Sequence, residues 1–459
     1  MEGIGVKKQL HKVLIVMFAA LLSVSGVLFS AQGKAYAASN EPDIDASAAI
    51  LVEADTGQIL YEKNADAVLG IASMTKMMTE YLVLESIKAG RLKWTDEVPI
   101  SKYSSVISQD RGLSNVPLLE GDQYTVKDLY EAMAIYSANG ATIALAEKLG
   151  NGSEANFIKL MNDEGKKLGL ESYKFVNATG LSNSLLKGMH PKGTKPTDEN
   201  VMSARATAKL ASHLIKDHPE ALEISKIPKK VFGKGTHSQT EMANWNWMLP
   251  GLTFEYKGVD GLKTGHTDFA GYCFTGTAVK NGVRYITVIM SGKKDGKPEM
   301  NARFTQTAKL LDYGFDNFEM KEVIPANSTI KGHKTLAVAK GKEDSVAIKT
   351  SKPLKVLLKK GEEDKYQVKF DVDSKLVDKN GHLMAPFKKG QIVGKAALVA
   401  KDDTTADNLY GTDQKAVQVP VVTTKGVDKA NWFALSMQSI GGFFSDVWTS
   451  ASDNVKAWF

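Results

Sequence analysis

The hydrophobic pattern of this 459-residue chain changes character once, near Glu319, and that break dictates an architecture of unlike parts. Before it, apolar residues recur at helical spacing in some stretches and alternate in others. After it, only short β-type runs remain, at Thr335–Ala339, Ser345–Lys349, Leu354–Leu358, Tyr366–Val372 and Ala416–Val422, separated by Lys, Gly and Asp. The first block opens with a hairpin pattern over Ala49–Lys63 around Asp55-Thr56-Gly57. Helices are predicted over 74–88, from Thr125 to Tyr136, on to Lys148, and over 154–168, 202–216 and 300–313. Gly271–Val279 and Val283–Ser291 then alternate as strands around Asn281-Gly282, a strong two-residue hairpin signal. Strands at both ends with helices between them are most economically one sheet built from both ends. The expectation is a mixed α/β domain over 38–318 and a separate all-β domain over 319–427.

The two ends read as targeting segments. Lys7, Lys8 and Lys12 precede an apolar stretch from Val13 to Phe29, and Ala35-Tyr36-Ala37 follows with small residues two apart. This predicts a secretory signal over 1–37 with processing after Ala37. The last 32 residues hold three of the six Trp and four of the seventeen Phe. At 100° per residue Phe433, Ile440, Phe444, Trp448 and Val455 share one side, and Asp446, Thr449, Asp453 and Lys456 lie opposite. An amphipathic helix over 428–459 is expected to lie in a membrane interface without spanning it.

Charge is unevenly spread. The formal total is +6, divided as +3 over 1–37, −3 over 38–320 and +6 over 321–420. The largest block therefore lacks the basic field that a nucleic-acid enzyme requires. A single cysteine, Cys273, forbids an internal disulfide and a Cys-based zinc site, and it reads as a buried small hydrophobe on its strand. The eight His are scattered, His213 and His218 being expected at the surface near a helix end, and neither metal nor other cofactor is implied.

Three short segments carry the chemistry: Ser73-Met74-Thr75-Lys76 at the start of a helix, Ser137-Ala138-Asn139 at a break between helices, and Lys263-Thr264-Gly265 on a strand. A serine hydroxyl needs a base, and no Ser-His-Asp order is visible. Lys76 lies one helical turn from Ser73 on the same face. Burial beside the second cation, Lys263, would disfavour its charged form and leave it able to accept a proton. Ser137 is placed to pass that proton to a leaving amine, Asn139 to hold a substrate carbonyl, and Lys263 with Thr264 to meet a carboxylate. Gly265 would leave room at the strand edge.

In order and spacing these segments resemble the S-x-x-K, S-x-N and K-T-G motifs of the penicillin-binding proteins and serine β-lactamases. Ile71 to Thr79, Tyr136 to Gly140 and Gly258 to Thr267 are more narrowly similar to the low-molecular-mass D-alanyl-D-alanine carboxypeptidases, over about 39–459. The resemblance implies a transpeptidase-like catalytic domain, an antiparallel sheet with helices, then a β domain and a C-terminal anchor. It implies removal of the terminal D-alanine from the peptidoglycan stem pentapeptide through an acyl-enzyme, with β-lactams as covalent inhibitors. By position, Ser73 is similar to the nucleophile, Lys76 to the base, and the backbone N–H groups of Ser73 and His266 to the oxyanion hole. Arg303 looks like an arginine that helps bind the terminal carboxylate. The segment Ser182–Asn200, with Lys187, Pro191, Lys192, Lys195 and Pro196, departs from any fixed family pattern and bears on rim specificity. An exported enzyme on the outer face of a bacterial cytoplasmic membrane is the expectation. A β-lactamase would need a further carboxylate to position a deacylating water, and a catalytically idle wall-binding scaffold would usually have lost Ser73, Lys76 or Lys263.

Overall fold

Ile50 and Val52 of the first strand, Ala46–Glu53 (β1), turn to one side of a sheet and Leu51 to the other, and all three are fully buried. Both faces of this strand are thus covered. The computed structural model describes residues 41–402, 407–411 and 417–431. The expected signal segment 1–37 and all but the first four residues of the 428–459 segment lie outside them.

Around β1 the sheet adds Ile59–Lys63 (β2), Val259–Thr267 (β3), Gly271–Lys280 (β4) and Val283–Lys294 (β5), in the order β3-β4-β5-β1-β2 with every neighbour antiparallel. Ile50 sits opposite Val288 and Leu51 opposite Thr287, so the chain's first strand closes on its late hairpin. That hairpin turns through Asn281 and Gly282 at φ +52° and +78°, the two positive values that a tight turn of matching twist demands. One sheet is therefore assembled from both ends of the block.

Helices Lys76–Lys88 (α1), Val126–Tyr136 (α2), Asn139–Leu149 (α3), Glu154–Lys167 (α4) and Ala204–Asp217 (α5) bury Met77, Leu129, Leu145, Phe157 and Leu210 in one core with Ile50, Val52 and Val288. On the opposite face, Phe304, Leu310 and Leu311 of Ala302–Asn317 (α6) pack with Leu51, Phe274 and Ile289. Thr125 Oγ1 accepts from the Asp128 N–H at 3.1 Å, and Ser203 Oγ caps α5 by accepting from the Ala206 N–H at 3.1 Å, so that the helix expected from residue 202 begins at Ala204. The helix expected from residue 74 begins at Lys76, because Ala72–Thr75 form a tighter 3-10 turn.

One expectation is reversed. His218 is wholly buried, its ring edge-on to Tyr81 at 5.1 Å and its Nε2 2.9 Å from Glu85 Oε1. The aromatic neighbour and the acid come from α1, which sequence spacing within α5 does not reveal.

Beyond α6 the regular elements of the described residues are strands, apart from one 3-10 turn at Glu363–Lys365. Phe318–Ile324 (β6) pairs with Leu354–Lys359 (β9). Thr335–Ala339 (β7), Ser345–Thr350 (β8), Tyr366–Val372 (β10), Leu383–Met384 (β11), Ile392–Ala400 (β12) and Gln418–Thr423 (β13) form a sheet in the order β10-β12-β13-β8-β7-β11. Ile348, Leu354, Val393, Ala396 and Val421 fill its core. A segment after β12 returns to the first block. There Leu409 N–H donates to the Gly57 carbonyl at 2.8 Å, Ile59 N–H to the Asp407 carbonyl at 3.0 Å, and the Tyr410 hydroxyl lies 2.7 Å from Ser212 Oγ. Gly57, at φ +78°, has no room for a side chain, since a Cβ would lie 2.7 Å from the Tyr410 ring.

Candidate active site

Ser73 projects from the 3-10 turn at the mouth of α1, partly exposed, while Lys76, the first residue of the helix, is fully buried. The Lys76 Nζ lies 2.9 Å from Ser73 Oγ, 2.9 Å from Asn139 Oδ1 and 2.7 Å from the Thr179 carbonyl oxygen. The last two atoms can only accept, so they occupy two N–H groups of the amine. Its third direction faces the serine hydroxyl. In the neutral amine that direction is a lone pair, and the geometry presents it to the Ser73 proton.

Each partner is fixed by local structure. Ser137 caps the C-terminus of α2 in the left-handed region at φ +61°, and Asn139 begins α3 two residues later. Asn139 also donates from Nδ2 to the Ser114 carbonyl at 3.0 Å, which locks its amide with Oδ1 toward Lys76. The Thr179 carbonyl comes from a loop knotted by buried amides. Asn177 Oδ1 accepts from the Thr179 and Gly180 N–H groups at 3.1 and 2.7 Å, and Asn200 Nδ2 donates to Thr75 Oγ1 at 2.9 Å. Glu154 Oε1 accepts from the Ala178 N–H at 2.8 Å. All of these groups are buried.

The third segment lies on β3, with Lys263 and Thr264 both buried. The Lys263 Nζ is 3.3 Å from the Thr264 carbonyl. A Cβ on Gly265 would meet the Ile71 carbonyl at 2.7 Å and the Met74 nitrogen at 3.2 Å. The room that glycine leaves is thus taken by the turn carrying Ser73, and it draws the two segments together instead of opening the strand edge. His266, exposed, stacks on Tyr272 with ring centroids 4.2 Å apart. Arg303, at the start of α6, is buried with its guanidinium over the Phe304 and Tyr272 rings at 4.8 and 5.8 Å.

Against known proteins, residues 35–294 match the model of the D-alanyl-D-alanine carboxypeptidase family, and residues 318–429 match that of the penicillin-binding protein 5 C-terminal domain. The chain belongs to the D-alanyl-D-alanine carboxypeptidase family. It is 31% identical to D-alanyl-D-alanine carboxypeptidase DacF of Bacillus subtilis over 86% of this chain and 90% of that one. It is also 31% identical to DacC of Escherichia coli over 96% of each. Among solved structures, a peptidoglycan synthesis regulatory factor (PBP3) of Streptococcus pneumoniae superposes with TM-score 0.70 at 34% identity, covering 84% of this chain and 100% of that one. Penicillin binding protein 5 of Haemophilus influenzae does so with TM-score 0.63 at 29% identity, over 85% and 99%.

Electrostatics give Lys76 and Lys263 of this family member unlike affinities for a proton. Burial, and then the charge of Lys263, holds the Lys76 ammonium well below the ordinary lysine range. Lys263 is pushed down by burial to about 8, with Glu80 opposing that shift and Arg303 adding to it. Arg303 itself is lowered by burial to about 10 and stays cationic at neutral pH. The site therefore holds one amine readily made neutral beside cations that can receive a carboxylate.

Two contributors escape motif reading. The Thr179 partner is a backbone carbonyl, for which Asn177-Ala178-Thr179-Gly180, a turn-prone run, is the sole trace in the sequence. Glu80 is the other. It follows Lys76 by four residues amid Met77, Met78 and Tyr81, an acid on an apolar helix face, and is 3% exposed.

Proposed function

We propose that this chain removes the terminal D-alanine from peptidoglycan stem pentapeptides through an acyl-enzyme on Ser73, and that penicillins acylate the same hydroxyl. The observation that carries this reading is the Lys76 amine, with two directions occupied by fixed acceptors and the third held 2.9 Å from Ser73 Oγ. Lys76 takes the Ser73 proton as Oγ bonds to the carbonyl carbon of the penultimate D-alanine. The Ser73 and His266 backbone N–H groups receive the developing oxyanion. When the peptide C–N bond breaks, the proton returns through Ser137 to the leaving amine of D-alanine. A water molecule then hydrolyses the ester, giving the shortened stem and restoring the serine. Lys263, Thr264 and Arg303 meet the terminal carboxylate, and Asn139, whose Oδ1 is engaged by Lys76, offers its remaining amide N–H to the substrate backbone.

The charges predict a bell-shaped pH profile. Activity requires neutral Lys76 and cationic Lys263, so kcat/KM rises as Lys76 loses its proton and falls above about pH 8 as Lys263 loses its own. Stopped assays on an acyl-D-Ala-D-Ala peptide read this directly. A plateau extending to pH 10 would remove Lys263 as the carboxylate cation.

We further propose the division into a signal, 1–37, a catalytic domain, 38–318, a β domain, 319–427, and an interfacial anchor, 428–459, which together place the enzyme on the outer face of the cytoplasmic membrane. The aromatic amphipathic pattern of 428–459 supports the anchor. Among the described residues no helix is long and apolar enough to cross a membrane. Deleting 428–459 is expected to leave penicillin labelling intact and shift the protein from the vesicle pellet to the supernatant. Continued sedimentation of the truncated protein with vesicles would refute the anchor.

A further inference from the structure

Glu80 is a buried acid for which the reaction above has no task. It stands one helical turn beyond Lys76 on α1, and its Oε2 accepts from the Tyr130 hydroxyl at 3.2 Å. Tyr130 is completely buried on α2, the helix that ends at Ser137. The hydrogen bond thus ties the helix carrying the base to the helix carrying the second motif. The titratable groups that face Glu80 are Lys76 on its own helix, Lys263 from β3 and Tyr130 from α2. Two lysines and one carboxyl share this interior.

We propose that Glu80, held by Tyr130, is a positioning residue that keeps exactly one positive charge on the pair Lys76 and Lys263. The inference rests on the roles assigned above to Ser73, Lys76 and Lys263. Buried charge is tolerated when it is paired. With Glu80 ionised, one ammonium is neutralised by it, and the second lysine must be an amine. Lys76 is the more strongly depressed of the two, so the surviving charge is on Lys263, where a carboxylate binds. Without the anion, burial acts on Lys263 unopposed and both lysines become neutral. The base would remain competent while the carboxylate cation was lost.

Burial lifts the Glu80 carboxyl to about 7, against the opposing pull of Lys263 and the Tyr130 hydrogen bond, so its charge is sensitive to the loss of either partner. Tyr130→Phe removes a donor to the carboxylate and should act in the same direction as Glu80→Gln, more weakly.

The test is the pH dependence of kcat/KM for D-alanine release and of penicillin acylation, measured on full-length wild type, Glu80→Gln, Tyr130→Phe and Ser73→Ala. Glu80→Gln is expected to move the alkaline limb down by about one pH unit and to raise KM more than it lowers kcat near pH 8. Tyr130→Phe should give a smaller shift of the same sign, and Glu80→Asp should return the limb toward wild type. An alkaline limb that stays in place while activity falls evenly at every pH would overturn the proposal, since a merely structural role predicts that result. Should Glu80→Gln not fold, the limb of Tyr130→Phe decides in the same way. Acylation surviving in Ser73→Ala would instead sink the underlying assignment, and the two failures are thereby separable.

Discussion

Ser73→Ala is expected to abolish covalent labelling by a fluorescent penicillin and to lower D-alanine release from a pentapeptide by at least about a thousandfold. The loss is expected to be near total because Ser73 Oγ is the hydroxyl held 2.9 Å from the Lys76 amine. The fold should be unaffected, since Ser73 is partly exposed and its side chain fills no core position. Intact-mass measurement with penicillin checks both points, and an adduct on the variant would remove Ser73 as the nucleophile.

Gly180→Ala should be nearly as damaging, although residue 180 need touch no substrate. Gly180 is held at φ +79°, and a Cβ there would fall 1.8 Å from the Ala72 carbonyl oxygen and 2.8 Å from Thr75 Oγ1. No rotamer relieves a clash between a Cβ and backbone, so either the loop or the Ser73 turn must move. The adjacent Thr179 carbonyl would then leave Lys76 Nζ, and an amine lacking one of its two fixed acceptors no longer aims its lone pair. A displacement of about 1 Å is expected to cost roughly a hundredfold in kcat, with a stability loss of about 3 kcal/mol. Steady-state kinetics and a denaturation midpoint separate the two. Wild-type kcat with an unchanged midpoint would show that the loop yields without disturbing the base.

The clustering of the candidate site was legible in part because the proposed chemistry needs particular residue types at fixed short spacings. Ser73 and Lys76 are neighbours through the helix, and Ser137 and Asn139 through a tight break, so local sequence places them. The sheet was legible for a related reason: alternation in 271–279 and 283–291 and the Asn281-Gly282 turn are themselves local. What escaped has no local signature. The third partner of Lys76 is a carbonyl, identical in every residue type, brought 103 positions along the chain. His218, just past the end of α5, packs against Tyr81 and Glu85 of α1. Gly265 invited a substrate explanation because the turn that fills its space lies almost two hundred positions away, at Ile71–Met74. In the β domain, β6 was missed because three of its seven residues are charged, and β12 because Gly394 and three alanines weaken its β character.

The return of Asp407–Tyr410 to the first block bears on how the enzyme meets its substrate. Two backbone hydrogen bonds at the β1–β2 turn and a hydroxyl contact on α5 tie the β domain to the catalytic sheet at a second place, besides the covalent passage from α6 into β6. A second attachment far from the first in sequence restricts the bending that a lone linker would allow. On the proposed C-terminal tether, this second attachment would limit how far the cleft swings relative to the lipid surface.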